Sequence, residues 1–271
     1  MTTPLPADAV SSVPTHSADA LSVENISRSF GGLTALKDFS FALRPGELVA
    51  LIGPNGAGKT TAFNVVTGVY PPSSGQIHLA GRRIDGLAPA QVCHAGIART
   101  FQNIRLFPTL TVLDNVAVAI RRPAGQGLLR TILQTPGFLR ADARTDQEAI
   151  ELLATLGLAD EADRRADSLP YGDQRRLEIA RALATHPKIL LLDEPAAGMN
   201  PQEKVELTEL IKFLRDQFGV GIWLIEHDMR LVMSICQRIT VLDHGETIAV
   251  GAPDEICNNP KVIEAYLGEP V

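Results

Sequence analysis

The sequence predicts an α/β protein that carries an antiparallel β segment and an inserted helical region. A Gly-rich loop joins an apolar strand to a helix at residues 47–66. Two continuous apolar strands return after residue 188, with a helix between them, and such strands are typical of a parallel sheet covered on both faces. Residues 111–166 show helical patterns without a convincing strand. We therefore expect a helical lobe inserted between two halves of one α/β core.

Composition limits the possible classes. The chain has 271 residues, 45% of them hydrophobic, which suits one large domain or a core with an inserted lobe. No apolar run approaches the roughly 18 residues of a membrane helix. The net charge is −6 and the arginine pairs are scattered, so no nucleic-acid groove is expected. The three cysteines lie far apart, which predicts inert thiols in a reducing cytosol.

The N-terminal part contains a tail and then short strands. Residues 1–20 are rich in Pro, Ser, Ala and Thr and hold no Lys or Arg, which predicts a disordered tail and not a secretory signal. Apolar runs with β character cover 21–42, with a break at Gly31-Gly32, and Gln76–Leu79 is another short strand. These runs flank the Gly-rich loop, so they predict an antiparallel sheet attached to the core.

The remaining elements follow from periodicity. Ala141–Leu156 is predicted to be a helix that Gly157 stops, after a predicted loop around a short helix at Pro123–Pro136. The later strands are Ile189–Leu192 and Gly221–Ile225. Between them, residues 202–218 carry apolar side chains near helical spacing, which predicts a crossover helix.

The Gly-rich loop matches the phosphate-binding pattern G-x-x-x-x-G-K-[ST] and lies between a strand and a helix, the context that this pattern requires. Its glycines let backbone N–H groups form a concave anion nest, and the helix start adds partial positive charge. Lys59 is placed to reach the outer phosphates and the Thr60 hydroxyl to hold magnesium. The predicted triphosphate-binding residues are Gly53, Pro54, Asn55, Gly56, Ala57, Gly58, Lys59, Thr60 and Thr61.

Two carboxylates end the strand Ile189–Leu192. Ligands of open α/β sheets lie at the carboxyl ends of the strands. Asp193 is therefore expected to bind magnesium, directly or through water. Glu194 is expected to polarise the water that attacks the γ-phosphate.

The segment 169–183 reads LPYGDQRRLEIARAL, and Gly172 opens a helix whose free N–H groups form an anion site. Here the chain resembles the ATP-binding subunits of ATP-binding-cassette (ABC) transporters, whose signature motif is usually L-S-G-G-Q. The resemblance implies that Tyr171, Gly172 and Asp173 close over the nucleotide of a second ATP-binding subunit. It therefore implies a head-to-tail dimer with ATP and Mg²⁺ as cofactors.

The resemblance also implies a P-loop NTPase core of the RecA-like type with an antiparallel β subdomain and an inserted α-helical subdomain. We expect one ATPase domain over residues 21–271. Residues 21–100 and 167–271 would form the nucleotide-binding core with its β subdomain. Residues 101–166 would form the helical subdomain.

Three more site residues follow from the resemblance. Gln102 matches the glutamine that senses magnesium and links the core to the helical lobe, although alone it would be a plain loop residue. His227 matches the histidine that contacts the γ-phosphate, although alone it would be structural. Phe30 stands where an aromatic ring stacks on adenine, with core packing as the alternative.

Within the family, the chain is similar to importer subunits for branched-chain amino acids. This likeness depends on residues 99–107 (RTFQNIRLF), 195–201 (PAAGMNP) and 262–268 (VIEAYLG). It implies two integral membrane permease subunits, whose coupling helix residues 103–107 would receive, and indirectly a periplasmic or extracellular binding protein. The chain would lie peripherally on the cytoplasmic face of the cell membrane. Relatives that move urea, amides or lipopolysaccharide are similar, so the cargo stays open.

The chain departs from the family pattern at three residues, one of which is Tyr171 in place of a signature glycine. Pro170 stands where the signature has a serine, and proline offers neither a hydroxyl nor an N–H. Asn200 replaces the usual aspartate of the loop after the Walker B strand, the D-loop. Our hypothesis is that the partner ATPase is a different chain and that the two sites hydrolyse unequally. Two alternatives are an ABC ATPase acting on DNA or ribosomes and a nucleotide switch that barely hydrolyses.

Overall fold

The computed structural model describes residues 20–121 and 136–267. The predicted tail, apart from Ala20, and the predicted loop at Pro123–Pro136, apart from Pro136, lie outside these residues. Ala20 is buried, and its N–H donates to the Leu43 carbonyl at 2.8 Å. Ala20 is therefore part of the β subdomain.

Ten strands and nine α-helices make up the described part of the chain. The strands are β1 (Leu21–Phe30), β2 (Leu33–Leu43), β3 (Leu48–Ile52), β4 (Ser74–Leu79), β5 (Arg82–Arg83), β6 (Ile97–Arg99), β7 (Ile189–Asp193), β8 (Gly221–Ile225), β9 (Arg238–Asp243) and β10 (Glu246–Gly251). The helices are α1 (Lys59–Val66), α2 (Pro89–Ala95), α3 (Val112–Ile120), α4 (Pro136–Thr155), α5 (Tyr171–Leu183), α6 (Pro201–Phe218), α7 (Met229–Ile235), α8 (Pro253–Cys257) and α9 (Pro260–Leu267).

The central sheet has six strands in the order β10-β9-β3-β8-β7-β6. Its strands are parallel except β10, which pairs antiparallel with β9. The predicted strands before the Gly-rich loop and at 189–192 and 221–225 are confirmed, and so is the crossover helix between the last two. β6 was not predicted, because three residues carry too little pattern to mark a strand.

Side-chain alternation along β3 divides the interior into two hydrophobic cores. Leu48, Ala50 and Ile52 enter the core that contains the helical lobe and α5–α7. Val49 and Leu51 enter the core shared with α1 and the β subdomain. Successive strand residues point to opposite faces, so a strand buried on both faces reads as a continuous apolar run.

The β subdomain is an antiparallel sheet in the order β2-β1-β4-β5. It packs on the central sheet through aromatic rings: the fully buried Trp223 ring stacks on Phe41 at 4.2 Å and on Phe39 at 6.2 Å. The Phe63 ring of α1 lies 4.7 Å from Trp223. This contact joins the β subdomain, the central sheet and α1 in one core.

The inserted region is helical, as predicted, in the part that the structure describes. Its helices are α3 and α4, and α4 stops two residues before Gly157, whose φ is +72°. Thr111 caps α3 by accepting the Asp114 N–H at 3.0 Å. The isolated bridge between Thr111 and Arg165 ties the start of this lobe to its end.

Candidate functional site

Three parts of the predicted site follow three neighbouring strands. The phosphate-binding loop follows β3, Glu194 follows β7 and His227 follows β8. These strands are adjacent and parallel in the order β3-β8-β7, so their carboxyl ends meet at one edge of the sheet. This is the edge at which open α/β sheets bind ligands.

The glycines of the phosphate-binding loop are required by its conformation. Gly53, Gly56 and Gly58 have φ values of +149°, +82° and +103°. A Cβ at Gly53 would overlap the Leu242 carbonyl oxygen, and one at Gly58 would stand 2.6 Å from the Ala35 carbonyl oxygen. Larger residues are therefore excluded by both backbone conformation and space at Gly53 and Gly58, and are disfavoured by backbone conformation alone at Gly56.

Lys59 is folded back on its own loop. Its Nζ donates to the carbonyl oxygens of Gly53 at 2.7 Å and of Pro54 at 2.8 Å. Burial lowers the pKa of Lys59, and the charges of Glu194 and Asp193 partly oppose this shift. The ammonium group is thus held inside the anion nest by two neutral acceptors, which phosphate oxygens can replace.

Glu194 is held from two sides. Its Oε2 accepts the Gln102 Nε2–H at 2.7 Å, and its Oε1 lies 2.8 Å from His227 Nε2, which donates when it carries the proton. The backbone φ of Glu194 is +46°, an uncommon value for a residue with a side chain. The structure thus brings together the three residues that the sequence predicted as catalytic.

Asp193 has a partner that the sequence analysis missed. Its Oδ2 accepts from Arg99 Nη2 at 2.6 Å, and both side chains are only 7% exposed. Arg99 also donates to Asn64 Oδ1 at 2.7 Å, and its guanidinium lies over the Phe63 and Phe101 rings. The available signal was a charged residue directly after apolar Ile97-Ala98.

A second missed residue is Glu226, which is 4% exposed. Its Oε1 accepts the Ala196 N–H at 2.7 Å, and its Oε2 accepts the His227 N–H at 2.9 Å. Glu226 thus connects the segment that carries the histidine with the loop after Glu194. Like Asp193, it comes directly after an apolar strand, which was the signal available in the sequence.

The first residues of α5 hold the predicted signature residues. Pro170 stands at the N-cap and supplies no side-chain cap. The Tyr171 hydroxyl donates to the Ala197 carbonyl at 3.0 Å, and Asp173 lies 3.8 Å from Arg176. The space that a tyrosine needs in place of glycine is provided by Gly198, whose φ is +77° and which lies beside the ring.

Asn200 has a structural role. Its Oδ1 accepts the N–H groups of Gln202 at 2.9 Å and of Glu203 at 3.0 Å, and the Glu203 carboxylate accepts the Asn200 N–H. This is a capping box at the start of α6, a position for which Asn and Asp are equally suited. The change from aspartate to asparagine therefore keeps the cap.

Phe30 ends β1 and is 39% exposed, outside both cores, so the core-packing alternative is wrong. The Tyr70 ring meets it edge-on with centroids 5.1 Å apart. The Arg28 guanidinium lies 4.5 Å from the ring centroid. The exposed part of the Phe30 ring is accessible to a planar group.

The three cysteines are free thiols in different surroundings. Burial raises the pKa of Cys236 to about 12, so this thiol is inert near neutral pH, while Cys93 is half-buried and Cys257 exposed.

Among the helices in the described ranges, none combines the length and the apolar character needed to cross a bilayer.

Two family models match the chain. The model described as ABC transporter matches residues 36–197. The model described as branched-chain amino acid ATP-binding cassette transporter matches residues 246–271.

Curated relatives match over almost their whole length. The high-affinity branched-chain amino acid transport ATP-binding protein LivG of Salmonella typhimurium is 51% identical over 92% of this chain and 98% of the relative. BraF of Pseudomonas aeruginosa, with the same description, is 46% identical over the same shares. The lipopolysaccharide export system ATP-binding protein LptB of Escherichia coli K12 is 36% identical over 92% of this chain and 97% of its own.

Solved structures of ATP-binding cassettes have the same fold as this chain. The ADP conformation of MJ1267, an ATP-binding cassette of an ABC transporter, has a TM-score of 0.81 and 32% identity, with 93% of this chain and all of that chain covered. The dimeric post-hydrolysis state of the cassette MJ0796 bound to ADP and Pi has a TM-score of 0.70 and 25% identity, with 86% and 98% covered. The predicted resemblance and fold class are confirmed: the chain belongs to the ATP-binding cassette family of ABC transporters.

Proposed function

We propose that this chain is the ATP-binding and ATP-hydrolysing subunit of an importer for branched-chain amino acids. The observation that carries the ATPase activity is the Glu194 carboxylate, held between Gln102 and His227 beside the phosphate-binding loop. The cargo is supported by 51% identity to LivG and by the match of residues 246–271 to the branched-chain model. The 36% identity to LptB makes lipopolysaccharide transport the weaker alternative.

The nucleotide would bind with its phosphates in the nest of residues 53–61 and its adenine against Phe30. Lys59 exchanges its carbonyl partners for phosphate oxygens. Glu194 aligns the attacking water, and His227 donates to the γ-phosphate. Closed, water-poor surroundings strengthen these contacts in the transition state.

Oxygen ligands suit Mg²⁺, which is usually bound through one or two carboxylates together with substrate phosphates. The Thr60 hydroxyl, the Gln102 amide oxygen and the Asp193 carboxylate are such ligands, and they would hold the ion. When bound, the ion neutralises charge that develops on the β- and γ-phosphates. Arg99 leaves one Asp193 oxygen for this task, because it engages Oδ2.

A second ATP-binding subunit would complete each site in a head-to-tail dimer, with Tyr171, Gly172 and Asp173 facing the partner's nucleotide. The dimeric state of MJ0796 supports this arrangement. ATP binding favours the closed dimer only by binding it more tightly than the open form. Loss of the γ-phosphate then resets the cycle.

The membrane partners would be two permease subunits. A groove of about 680 Å³ between the core and the helical lobe supports this assignment; its lining includes Val92, Phe101, Arg105, Phe107, Val118 and Arg181. A coupling helix of a permease fits such a groove, with residues 103–107 at its edge. The chain would then lie peripherally on the cytoplasmic face of the membrane, and a binding protein would deliver the cargo on the other side.

The test uses the chain co-expressed with its permeases, partner ATPase and binding protein. We expect Lys59→Ala to abolish ATP binding at this chain's own site, and Glu194→Gln to keep that binding but lose hydrolysis there and most of the leucine uptake. Lys212→Ala, on the outer face of α6, is the matched control and should behave as the parent. Uptake by Lys59→Ala at the parental rate would refute the ATPase assignment, and lipopolysaccharide transport without leucine uptake would refute the cargo.

The partner ATPase is proposed to be a different chain. Pro170 deprives this signature of the hydroxyl that would bind a γ-phosphate oxygen, a hydrogen bond to a charged group worth about 1.5–3 kcal/mol. The site completed by this signature should therefore turn over more slowly than the site completed by the partner's. Substituting the Walker B glutamate of each subunit in turn measures the inequality; equal losses would contradict it.

A further inference from the structure

The signature helix, the loop of Gln102 and the loop after Glu194 are joined by hydrogen bonds that form a closed ring. Gln102 Nε2 donates to Glu194 Oε2 at 2.7 Å, and the Gln102 carbonyl accepts from Arg175 Nη2 at 2.9 Å. Arg175 Nη2 also donates to the Tyr171 hydroxyl at 3.3 Å. That hydroxyl donates to the Ala197 carbonyl at 3.0 Å, and the Ala197 N–H donates to the Glu194 carbonyl at 3.2 Å.

One side of this ring is rigid. Arg175 is fully buried, donates to the Phe101 carbonyl at 2.7 Å and pairs with Glu178 at 2.7 Å. Glu178, 2% exposed, accepts the N–H groups of Phe101 and Arg105. A buried ion pair that makes several further hydrogen bonds to the backbone holds one geometry. The backbone around Gln102 therefore moves with α5.

The other side of the ring depends on one hydroxyl. Tyr171 is 42% exposed, and its ring lies beside Gly198, where an added Cβ would stand 3.7 Å from the ring. Glu226 holds the preceding residue of this loop through the Ala196 N–H. Two adjacent loop residues are thus held by two different elements, and Tyr171 is the contact with α5.

We propose that Tyr171 is a positioning residue for Glu194. Its hydroxyl closes the ring of hydrogen bonds, so the conformation of the loop after Glu194 depends on the position of the signature helix α5. The inference rests on the proposed function. A glycine at this position, as in the usual signature, has no side chain to make the link. In the proposed dimer, α5 faces the partner's nucleotide. The Tyr171 hydrogen bond would therefore make the position of the Glu194 carboxylate in one site depend on whether nucleotide occupies the other site.

The test compares Tyr171→Phe with the parent in the full transporter. Phenylalanine keeps the ring against Gly198 and removes only the hydroxyl. One neutral hydrogen bond corresponds to about a two- to tenfold effect. We expect kcat for MgATP to fall by about that factor, the KM to change less than twofold, and amide exchange of residues 196–199 to become faster by a similar factor.

Thr155→Val is the control, because it removes a hydroxyl that donates to the Glu151 carbonyl within α4, a helix that holds none of the residues assigned to the nucleotide. It should leave kcat and exchange at the parental values. Parental kcat in Tyr171→Phe, parental exchange at 196–199, or a rise of KM alone would each overturn the proposal. The Glu194→Gln transporter, assayed in parallel, separates the two hypotheses: if it hydrolyses ATP at the parental rate, the proposed function itself fails.

Discussion

The two glycine-containing motifs of the nucleotide surface are constrained in different ways. In the phosphate-binding loop, Gly53 and Gly58 have left-handed φ values and lie against backbone carbonyls. In the signature helix, Gly172 has no such φ, and an added Cβ would stand 3.6 Å from Glu203 Oε1, an ordinary contact. The described part of the chain therefore requires glycine in the first motif and tolerates alanine in the second. The proposed function places the partner's nucleotide against Gly172, so we expect any requirement for this glycine to come from outside the chain.

The two motifs also use different chemical groups for their contacts. The phosphate-binding loop offers backbone N–H groups and one lysine that rests on its own carbonyls. The signature segment uses side chains, Tyr171 and Arg175, that reach neighbouring loops. The first motif is thus organised by its local conformation and the second by tertiary contacts.

Gly53→Ala should have the largest effect. Its Cβ would overlap the Leu242 carbonyl, and the φ of +149° is unfavourable for alanine. We expect at least about 4 kcal/mol of lost unfolding free energy, together with loss of ATP binding. Chemical denaturation measures it. Gly32→Ala, with open space around the added Cβ, is the control and should cost less than about 0.5 kcal/mol. Similar losses in both variants would contradict the constraint.

Arg99→Met should have the second-largest effect on the unfolding free energy. It leaves the buried Asp193 carboxylate without its ion-pair partner, which typically costs about 3–5 kcal/mol. Denaturant unfolding of the single variant and of Arg99→Met/Asp193→Asn tests this, and the double variant should recover part of the loss. Arg165→Met breaks an exposed pair with Asp167 and should leave the unfolding free energy close to the parental value, because solvent screens such a pair. If Arg99→Met were as mild, Arg99 would not support Asp193.

Gly172→Ala distinguishes the two motifs most directly. Alanine favours a helix over glycine by about 0.5–1 kcal/mol, so the isolated chain should be as stable as the parent or slightly more stable. ATP hydrolysis by the assembled transporter should nevertheless fall about tenfold, since the added methyl group would face the partner's nucleotide. Thermal unfolding and turnover are measured on the same preparations. A destabilised chain, or full turnover, would show that the constraint does not come from outside.

The smallest effect concerns the contact between α6 and the segment after His227. The hydrogen bond from Lys204 at 2.8 Å is the main cause that lowers the pKa of Asp228. A lowered carboxyl pKa gives stability that is present above the unfolded value near 3.8 and is lost as pH falls through the folded value. Lys204→Met should raise the pKa of Asp228 and remove about 0.5 kcal/mol at pH 7, and this loss should shrink as pH falls below 3.8 through the folded pKa. NMR titration of Asp228 checks it, with Lys212→Met as control; an unchanged pKa would exclude the contact.

Much of the site was predictable because its residues are close in sequence to strong local signals. Residues 53–61 need only a strand, a turn and a helix, and Asp193 and Glu194 need only the end of an apolar strand. Gln102 and His227 were assigned through the family resemblance, since neither has a local pattern of its own. Their contacts with Glu194 depend on strand order, which one sequence does not reveal.

Arg99, Arg175 and Glu226 were not predicted as part of the site. Arg99 and Glu226 are single charged residues whose partners, Asp193 and Ala196, lie far along the chain. Arg175 pairs with nearby Glu178, but its contact with the Gln102 carbonyl is equally remote in sequence. Periodicity detects burial of apolar faces but not the pairing of isolated charges.

Local interactions, encoded in residue order, were enough to establish the α/β class, the phosphate-binding loop and the acidic strand end, because period, turn chemistry and glycine conformation act over a few residues. Only the tertiary structure shows the hydrogen bonds that hold Glu194, the ion pair of Asp193 and the direction of the Tyr171 hydroxyl. These depend on which strand ends are neighbours in the sheet and on which loops pack against α5, and such long-range contacts form between residues that are remote in sequence.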